Sequence, residues 1–380
     1  MDISQPLTLL GGLSAQQFMK RHWQRKPLLV RGAVPGMQPL VERAALFALA
    51  EREEVESRLI TQAAGGWALR RGPLPRRVLP PLSRPGWTLL VQGMDLHHDG
   101  LHALMQRFRF VPDARLDDLM ISYASDQGGV GPHFDSYDVF LLQAQGRRRW
   151  RIGRAQDLSL QEGVPLKILA NFRPEEEHLL EAGDMLYLPP GWAHDGVAQG
   201  PCQTYSIGFR AAGRAELVRE LLGRLAEEAE ELVDESLYVD RGQAATESPG
   251  AIPTALQAYT GDAVALALRE PHVLNRALGE MLSEPKPRVW FEGGATGAPQ
   301  RGLVLDRRTR MMHDALHIFV NGESWRAAGR DAALMRKLAD QRCLDAADLR
   351  RASKAAIALL QSWHEAGWLH ETGTDHERID

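Results

Sequence analysis

DLMISYASDQGGVGPHFDSYDVFLLQAQGRRRW, residues 118–150, sets two apolar runs of β type on either side of a glycine-bearing loop, and the loop ends in a histidine two residues before an aspartate. In an extended segment alternate side chains share a face, so His133 and Asp135 point one way and Phe134 the other. Two groups able to ligate a metal therefore stand together where a strand begins. Sixty residues further on, GDMLYLPPGWAH (183–194) runs an apolar stretch into a Pro-Pro-Gly turn and delivers His194 on the returning segment. A rolled-up antiparallel sheet can lay that segment beside the one that carries His133.

The chain around these motifs supports such a sheet. DLMISYAS, DVFLLQAQ, RRRWRIG, DMLYLPP, WAHDGVA and CQTYSIGF follow one another as short strands, with turns expected at GG, QG, GD and PPG. This pattern predicts an antiparallel sandwich or small barrel of the jelly-roll or cupin type. Two imidazoles and one carboxylate on one side of a metal leave adjacent coordination positions open, the arrangement suited to non-haem Fe(II) chemistry. A 2-oxoacid can chelate at two such positions and dioxygen can take a third. A fully ligated structural metal would be inert in this role.

Upstream, Ser14 and Gln17 form a capping-box pattern that opens a helix running to about Trp23. LLVRGA, ESRLITQ, WALRRG and WTLLVQG are β-type runs, with a helical stretch over 39–54. A second H-x-D lies at His97–Asp99, with His98 and His102 at helical spacing. It opens a predicted helix and has no partner strand, so it is expected to be a solvated helix start. Downstream, residues 213–236 place Leu217, Leu221 and Leu225 on one helical face, and a second helical region covers about 252–283. Past Pro287 come RGLVLD, RMMHDA and LHIFV, the hairpin turn Asn321-Gly322, SWRA and two helices ending near Trp368, an order that resembles a winged helix. The domains expected are 1–212, the β domain with N-terminal α/β elements; 213–286, helical; and 287–380, winged-helix-like. The fold class is α+β.

A formal charge of −4 over 380 residues, with 44% hydrophobic and 25% charged residues, argues against a general nucleic-acid or anionic-membrane binder. The winged-helix region mixes acids among its bases, so nucleic-acid binding is not indicated there either. The two cysteines, Cys202 and Cys343, form no CxxC, which fits a reducing compartment and no cysteine zinc site. MDISQPLTLLGG lacks a basic n-region, and no apolar run approaches the roughly 18 residues that span a bilayer. The expectation is a soluble, cytoplasmic protein with no membrane partner.

GPHFDSYDVFLLQAQGRRRW together with GDMLYLPPGWAHDGVA resembles the JmjC-type 2-oxoglutarate oxygenases. HWQRKPLLVRGA at 22–33, the helical stretch and the winged-helix-like end narrow the resemblance to the bacterial ribosomal oxygenase branch and extend it over nearly the whole chain. The resemblance implies a double-stranded β-helix, dependence on Fe(II) and 2-oxoglutarate, and hydroxylation of an arginine side chain in large-subunit ribosomal protein number sixteen. It also implies a homodimer built by the helices. His133, Asp135 and His194 match the family's iron ligands. The family's basic residue for the far carboxylate of 2-oxoglutarate falls fifteen positions after the first ligand, which selects Arg148 over its neighbours Arg147 and Arg149. Ser122, a hydroxyl inside an apolar strand, is the candidate to support the same cosubstrate, with Ser206 a weaker one. Tyr137, Asp126 and Asp138 are candidates for the substrate mouth. The residues themselves leave other readings open: a lysine demethylase, a histidine or asparagine hydroxylase, a metal-dependent cupin isomerase, or a non-catalytic metal-sensing winged-helix regulator.

Overall fold

A computed structural model describes residues 2–373 except 64, 65, 270, 295, 298 and 300. The chain divides into two compact units, Met1–Ala211 and Ala212–Asp380.

The first unit opens with helix α1 (Ala15–Arg21), whose start is fixed by the reciprocal hydrogen bonds of Ser14 and Gln17, as the capping-box pattern predicts. Helices α2 (Arg43–Leu49) and α3 (Asp99–Gln106) follow, interleaved with strands β1 (Leu28–Val30), β2 (Ser57–Ala63), β3 (Gly66–Arg71) and β4 (Trp87–Val91). Then come β5 (Leu116–Ala124), β6 (His133–Phe134), β7 (Asp138–Arg154), β8 (Glu176–Leu180), β9 (Met185–Leu188) and β10 (Trp192–Phe209). Among the described residues these strands make a 10-stranded sheet in the order β1-β9-β7-β10-β5-β4-β2-β3, with β6 also on β10 and β8 also on β7. Every pairing is antiparallel. This is the rolled-up β domain expected.

The strands differ from expectation at three places. DVFLLQAQ and RRRWRIG form the single strand β7, and WAHDGVA and CQTYSIGF the single strand β10. Gly146 (φ 66) and Gly200 (φ 77) bend them, and the pairing of β7 with β10 shifts register between Gln199 and Gln203. A glycine at positive φ looks like a turn in sequence, yet here both neighbouring strands bend at the same level and the ladder resumes beyond. Strand β8, rich in charge at EEH, is absent from the expected set because its sequence lacks an alternating apolar pattern.

The apolar run of β7 is explained by burial on both faces. Phe140, Leu142 and Ala144 pack into a large core with Phe18, Tyr187 and Phe209, between the sheet and the N-terminal elements. Val139 and Leu141 face a smaller inner cluster with Trp150, Ile152, Leu180, Leu186 and Leu188. Asp138, expected near the substrate mouth, is instead fully buried. It accepts from the Tyr187 hydroxyl at 2.6 Å, Gln24 Nε2 at 3.1 Å and Arg115 Nη2 at 3.2 Å, and so ties the N-terminal segment to the barrel.

The second unit begins with α4 (Arg214–Glu227) and α5 (Ala229–Leu232), then α6 (Thr254–Ala267) and α7 (Pro271–Ser283). Leu225 is buried and Leu217 and Leu221 half-buried, as their spacing predicts, while Val218 and Leu222 stay exposed. Ion pairs Arg224–Glu284 and Arg276–Glu228 link the first helices to α7. Strands β11 (Leu303–Leu305), β12 (Met311–His313), β13 (His317–Val320) and β14 (Glu323–Arg326) follow, then α8 (Gly329–Gln341), β15 (Cys343–Leu344), α9 (Ala346–Arg351), α10 (Lys354–Glu365) and β16 (Leu369–Glu371). Asn321 (φ 51) and Gly322 (φ 92) make the left-handed turn their dipeptide predicts between β13 and β14. Three helices stand where two were expected, because Asp345 and Ser353 each cap a new start. Among the described residues no helix is long and apolar enough to cross a membrane.

Candidate metal centre

Strand β10 is the hub of the site. Its His194 lies opposite His133 of β6 and Ile152 of β7, its Gly196 opposite Trp150, its Ala198 opposite Arg148 and its Thr204 opposite Ser122 of β5. Alternation then puts Arg148, Trp150 and Ile152 on one face of β7, and His194, Gly196 and Ala198 on one face of β10.

His133, Asp135 and His194 offer one ligand atom each, all within 4.8 Å of one another. The two imidazole centroids are 4.3 Å apart, and His194 Nε2 is 3.7 Å from Asp135 Oδ2. Each ring is held by a backbone carbonyl: His133 Nδ1 lies 2.9 Å from the Gly131 oxygen and His194 Nδ1 3.2 Å from the Trp192 oxygen. A carbonyl can only accept, so each Nδ1 carries the proton and each Nε2 keeps its lone pair for a metal. Burial, and then the charge of His133, lower the His194 pKa to about 4, against the opposing pull of Asp135, which keeps the ring in the neutral form a metal needs. The other histidine motif is a helix start, as expected. His98 precedes α3 and its Nδ1 accepts from the Leu101 N–H at 3.3 Å.

Arg148 is 4% exposed, whereas Arg147 and Arg149 face solvent. Its Nη1 donates to Ser122 Oγ at 3.1 Å, while Nε and Nη2 are buried with no partner. A buried guanidinium with two idle donors is unfavourable unless an anion completes it. Ser122, the other cosubstrate candidate, is in direct contact with Arg148. Of the mouth candidates, Asp126 accepts from the Gly200 N–H at 2.7 Å and serves a turn. Tyr137 is half-buried, and burial first, then the carboxylates of Asp135, Asp118 and Asp117, push its hydroxyl pKa up. Gly208 borders the same spot: a Cβ there would lie 3.7 Å from Asp118 Oδ1 and 3.8 Å from Tyr137 Cε2. Asp117 and Asp118 had no distinguishing mark in sequence, since their meeting with Tyr137 depends on how β5, β7 and β10 are paired.

Residues 103–217 match a family model described as the JmjC domain, and residues 265–370 one described as the ROXA-like winged helix. The chain carries a JmjC domain. Ribosomal protein uL16 3-hydroxylase of Escherichia coli (strain K12) is 40% identical over 209 residues, covering 54% of this chain and 55% of that protein. The chain spans about half the length of the curated relatives it matches. An X-ray structure of E. coli YcfD aligns with a TM-score of 0.84 at 28% identity, over 94% of this chain and 98% of that chain. A structure of YcfD, described as a ribosomal oxygenase from Escherichia coli in complex with cobalt and 2-oxoglutarate, aligns with a TM-score of 0.80 at 28% identity, again over 94% and 98%. The JmjC domain thus contains all three candidate ligands, together with Ser122 and Arg148.

Proposed function

We propose that the protein is an Fe(II)- and 2-oxoglutarate-dependent oxygenase that hydroxylates an arginine side chain of large-subunit ribosomal protein number sixteen in the cytoplasm. The observation that carries this reading is the pairing of an open three-ligand cluster with a buried, incompletely bonded arginine on the same inner wall of the sheet. In it His133, Asp135 and His194 hold the metal, and Arg148 takes the far carboxylate of the cosubstrate, steadied by Ser122. The donor set fits this group: two neutral imidazoles and one carboxylate suit Fe(II), and a planar guanidinium with two free donors suits a carboxylate. Iron, dioxygen and 2-oxoglutarate together supply oxidation of an unactivated C–H bond, coupled to decarboxylation of the 2-oxoacid to succinate.

The chain's own part is positioning and exclusion of water. Tyr137 supplies an aromatic wall, and Asp117 and Asp118 supply negative charge beside it, the chemistry that receives a guanidinium. The name of the uL16 3-hydroxylase relative supports the ribosomal target. Exposed Val218 and Leu222 on α4 and Val264 on α6 support a homodimer formed through the helices.

The test is incubation of the purified protein with Fe(II), 2-oxoglutarate and ribosomal-protein peptides, followed by mass spectrometry. A gain of one oxygen atom on arginine is expected. Turnover of 2-oxoglutarate with loss of methyl groups from lysine would replace hydroxylation by demethylation, and oxygen gained only on histidine or asparagine would reassign the target residue.

A further inference from the structure

We propose that Trp150 is a cosubstrate-binding residue, its indole N–H donating to a carboxylate oxygen of the 2-oxoacid held between His194 and Arg148. Trp150 is 5% exposed and its Nε1 is buried with no acceptor. Tryptophan N–H groups in protein interiors normally find a partner, and an idle one makes phenylalanine the cheaper residue for the same volume.

Its surroundings show why the partner is not protein. The Arg148 guanidinium stands 5.7 Å over the indole, and the His194 ring centroid is 5.8 Å away. The indole therefore has both the cation and a metal-ligating ring within about 6 Å, beside the space a chelated dicarboxylate would occupy. The other buried side chains clustered with it are aliphatic, Val139, Leu141, Ile152, Leu180, Leu186 and Leu188, and cannot accept a hydrogen bond. Tyr137 and Trp192 also pack against this cluster, but neither gives the indole N–H a partner.

Gly196 fixes the ring. It lies directly across the ladder from Trp150, and a Cβ there would stand 2.6 Å from Cζ3, 2.7 Å from Cη2 and 2.8 Å from Cε3 of the indole. The six-membered ring thus rests on bare backbone, and Nε1 is not among the atoms nearest position 196. Any side chain at position 196 would push the indole into the space the cosubstrate needs. Two orphan donors on Arg148 and one on Trp150, two residues apart on one strand face, form a set of three for one anionic ligand.

This inference rests on the oxygenase reading, and the experiment separates the two. The full chain, labelled with ¹⁵N-tryptophan and loaded with Zn(II), is titrated with 2-oxoglutarate, and the missing peak in Trp150→Phe assigns the indole N–H. Saturation is expected to move that proton downfield and slow its exchange with water, with the metal alone doing neither. Calorimetry should show 2-oxoglutarate bound about tenfold more weakly by Trp150→Phe, the worth of one hydrogen bond to a charged acceptor. Gly196→Ala should lose more, and Zn(II) affinity should be unchanged in both. If 2-oxoglutarate binds the wild-type protein but the Trp150 resonance stays in place, this inference fails alone. If wild-type protein takes up the metal but no 2-oxoglutarate, the oxygenase reading fails with it. Should Trp150→Phe not fold, the indole N–H is assigned as the tryptophan resonance that Gly196→Ala displaces, since a Cβ at position 196 meets the Trp150 ring, and the wild-type titration still decides.

Discussion

Replacing Arg148 by methionine should make the free protein more stable while abolishing its hold on 2-oxoglutarate. Arg148 is 4% exposed, one of its donors meets Ser122 at 3.1 Å, and its Nε and Nη2 have no hydrogen-bond partner. Each unpaired buried donor costs about 1–3 kcal/mol, and the bond to Ser122 returns about 1.5–3 kcal/mol as a hydrogen bond to a charged group. Methionine keeps most of the stem's packing and removes the charge, so a net gain of about 1 kcal/mol is expected. For a unit near 200 residues that is a rise of roughly 2–4 °C in Tm. With 2-oxoglutarate bound, the two idle donors become charge-assisted bonds of about 1.5–3 kcal/mol each. Their loss then weakens binding by roughly 10²- to 10⁴-fold. Thermal unfolding of the Zn(II)-loaded protein without 2-oxoglutarate reads the first effect, and calorimetric titration of the Mn(II)-loaded protein reads the second. A variant that binds 2-oxoglutarate within a few-fold of wild type, or that loses several degrees of stability, would refute the assignment of those donors to the cosubstrate.

Ser122→Ala removes one acceptor from Arg148 and should raise the Kd for 2-oxoglutarate about fivefold by calorimetry, with metal affinity unchanged. In the second unit, burial alone would raise the Asp306 pKa, but hydrogen bonds from His370 at 2.8 Å and Arg308 at 2.8 Å, with the Arg308 charge, hold it far below the usual carboxylate range. Because the folded value lies below the unfolded one of about 3.9, this stabilisation is complete above that pH and fades as pH falls toward the folded value. Asp306→Asn should therefore cost about 2 kcal/mol in urea unfolding at pH 7, with the gap to wild type closing in acid below about pH 4. Leu222 is half-exposed on α4, within the face assigned above to the proposed homodimer. Leu222→Glu should halve the mass measured by light scattering, and an unchanged mass would remove that face from the interface.

Much of the site is legible in sequence because its signals are local. His133 and Asp135 share a face through strand alternation, Pro189-Pro190-Gly191 turns the chain before His194, and Ser14 with Gln17 caps a helix, all within a few residues. Strand alternation sets Arg148 opposite to Arg147 and Arg149, the family resemblance selected it, and of the three only Arg148 proves to be buried. The bends at Gly146 and Gly200 mislead for the same reason. Local φ is what a glycine controls, and whether a strand ends there depends on its partner.

By itself, then, the amino-acid order determined which donors this protein could present, the β character of the domain that presents them, and the capped helices and hairpin at its ends. Tertiary structure decided which donors meet. Asp138 went inside to Tyr187, Asp117 and Asp118 came to Tyr137, and Trp150 came to rest on Gly196 with its N–H unanswered. The physical reason is that antiparallel pairing joins segments some fifty to eighty residues apart, and the register that opposes Gly196 to Trp150 and Thr204 to Ser122 is a property of the whole folded sheet.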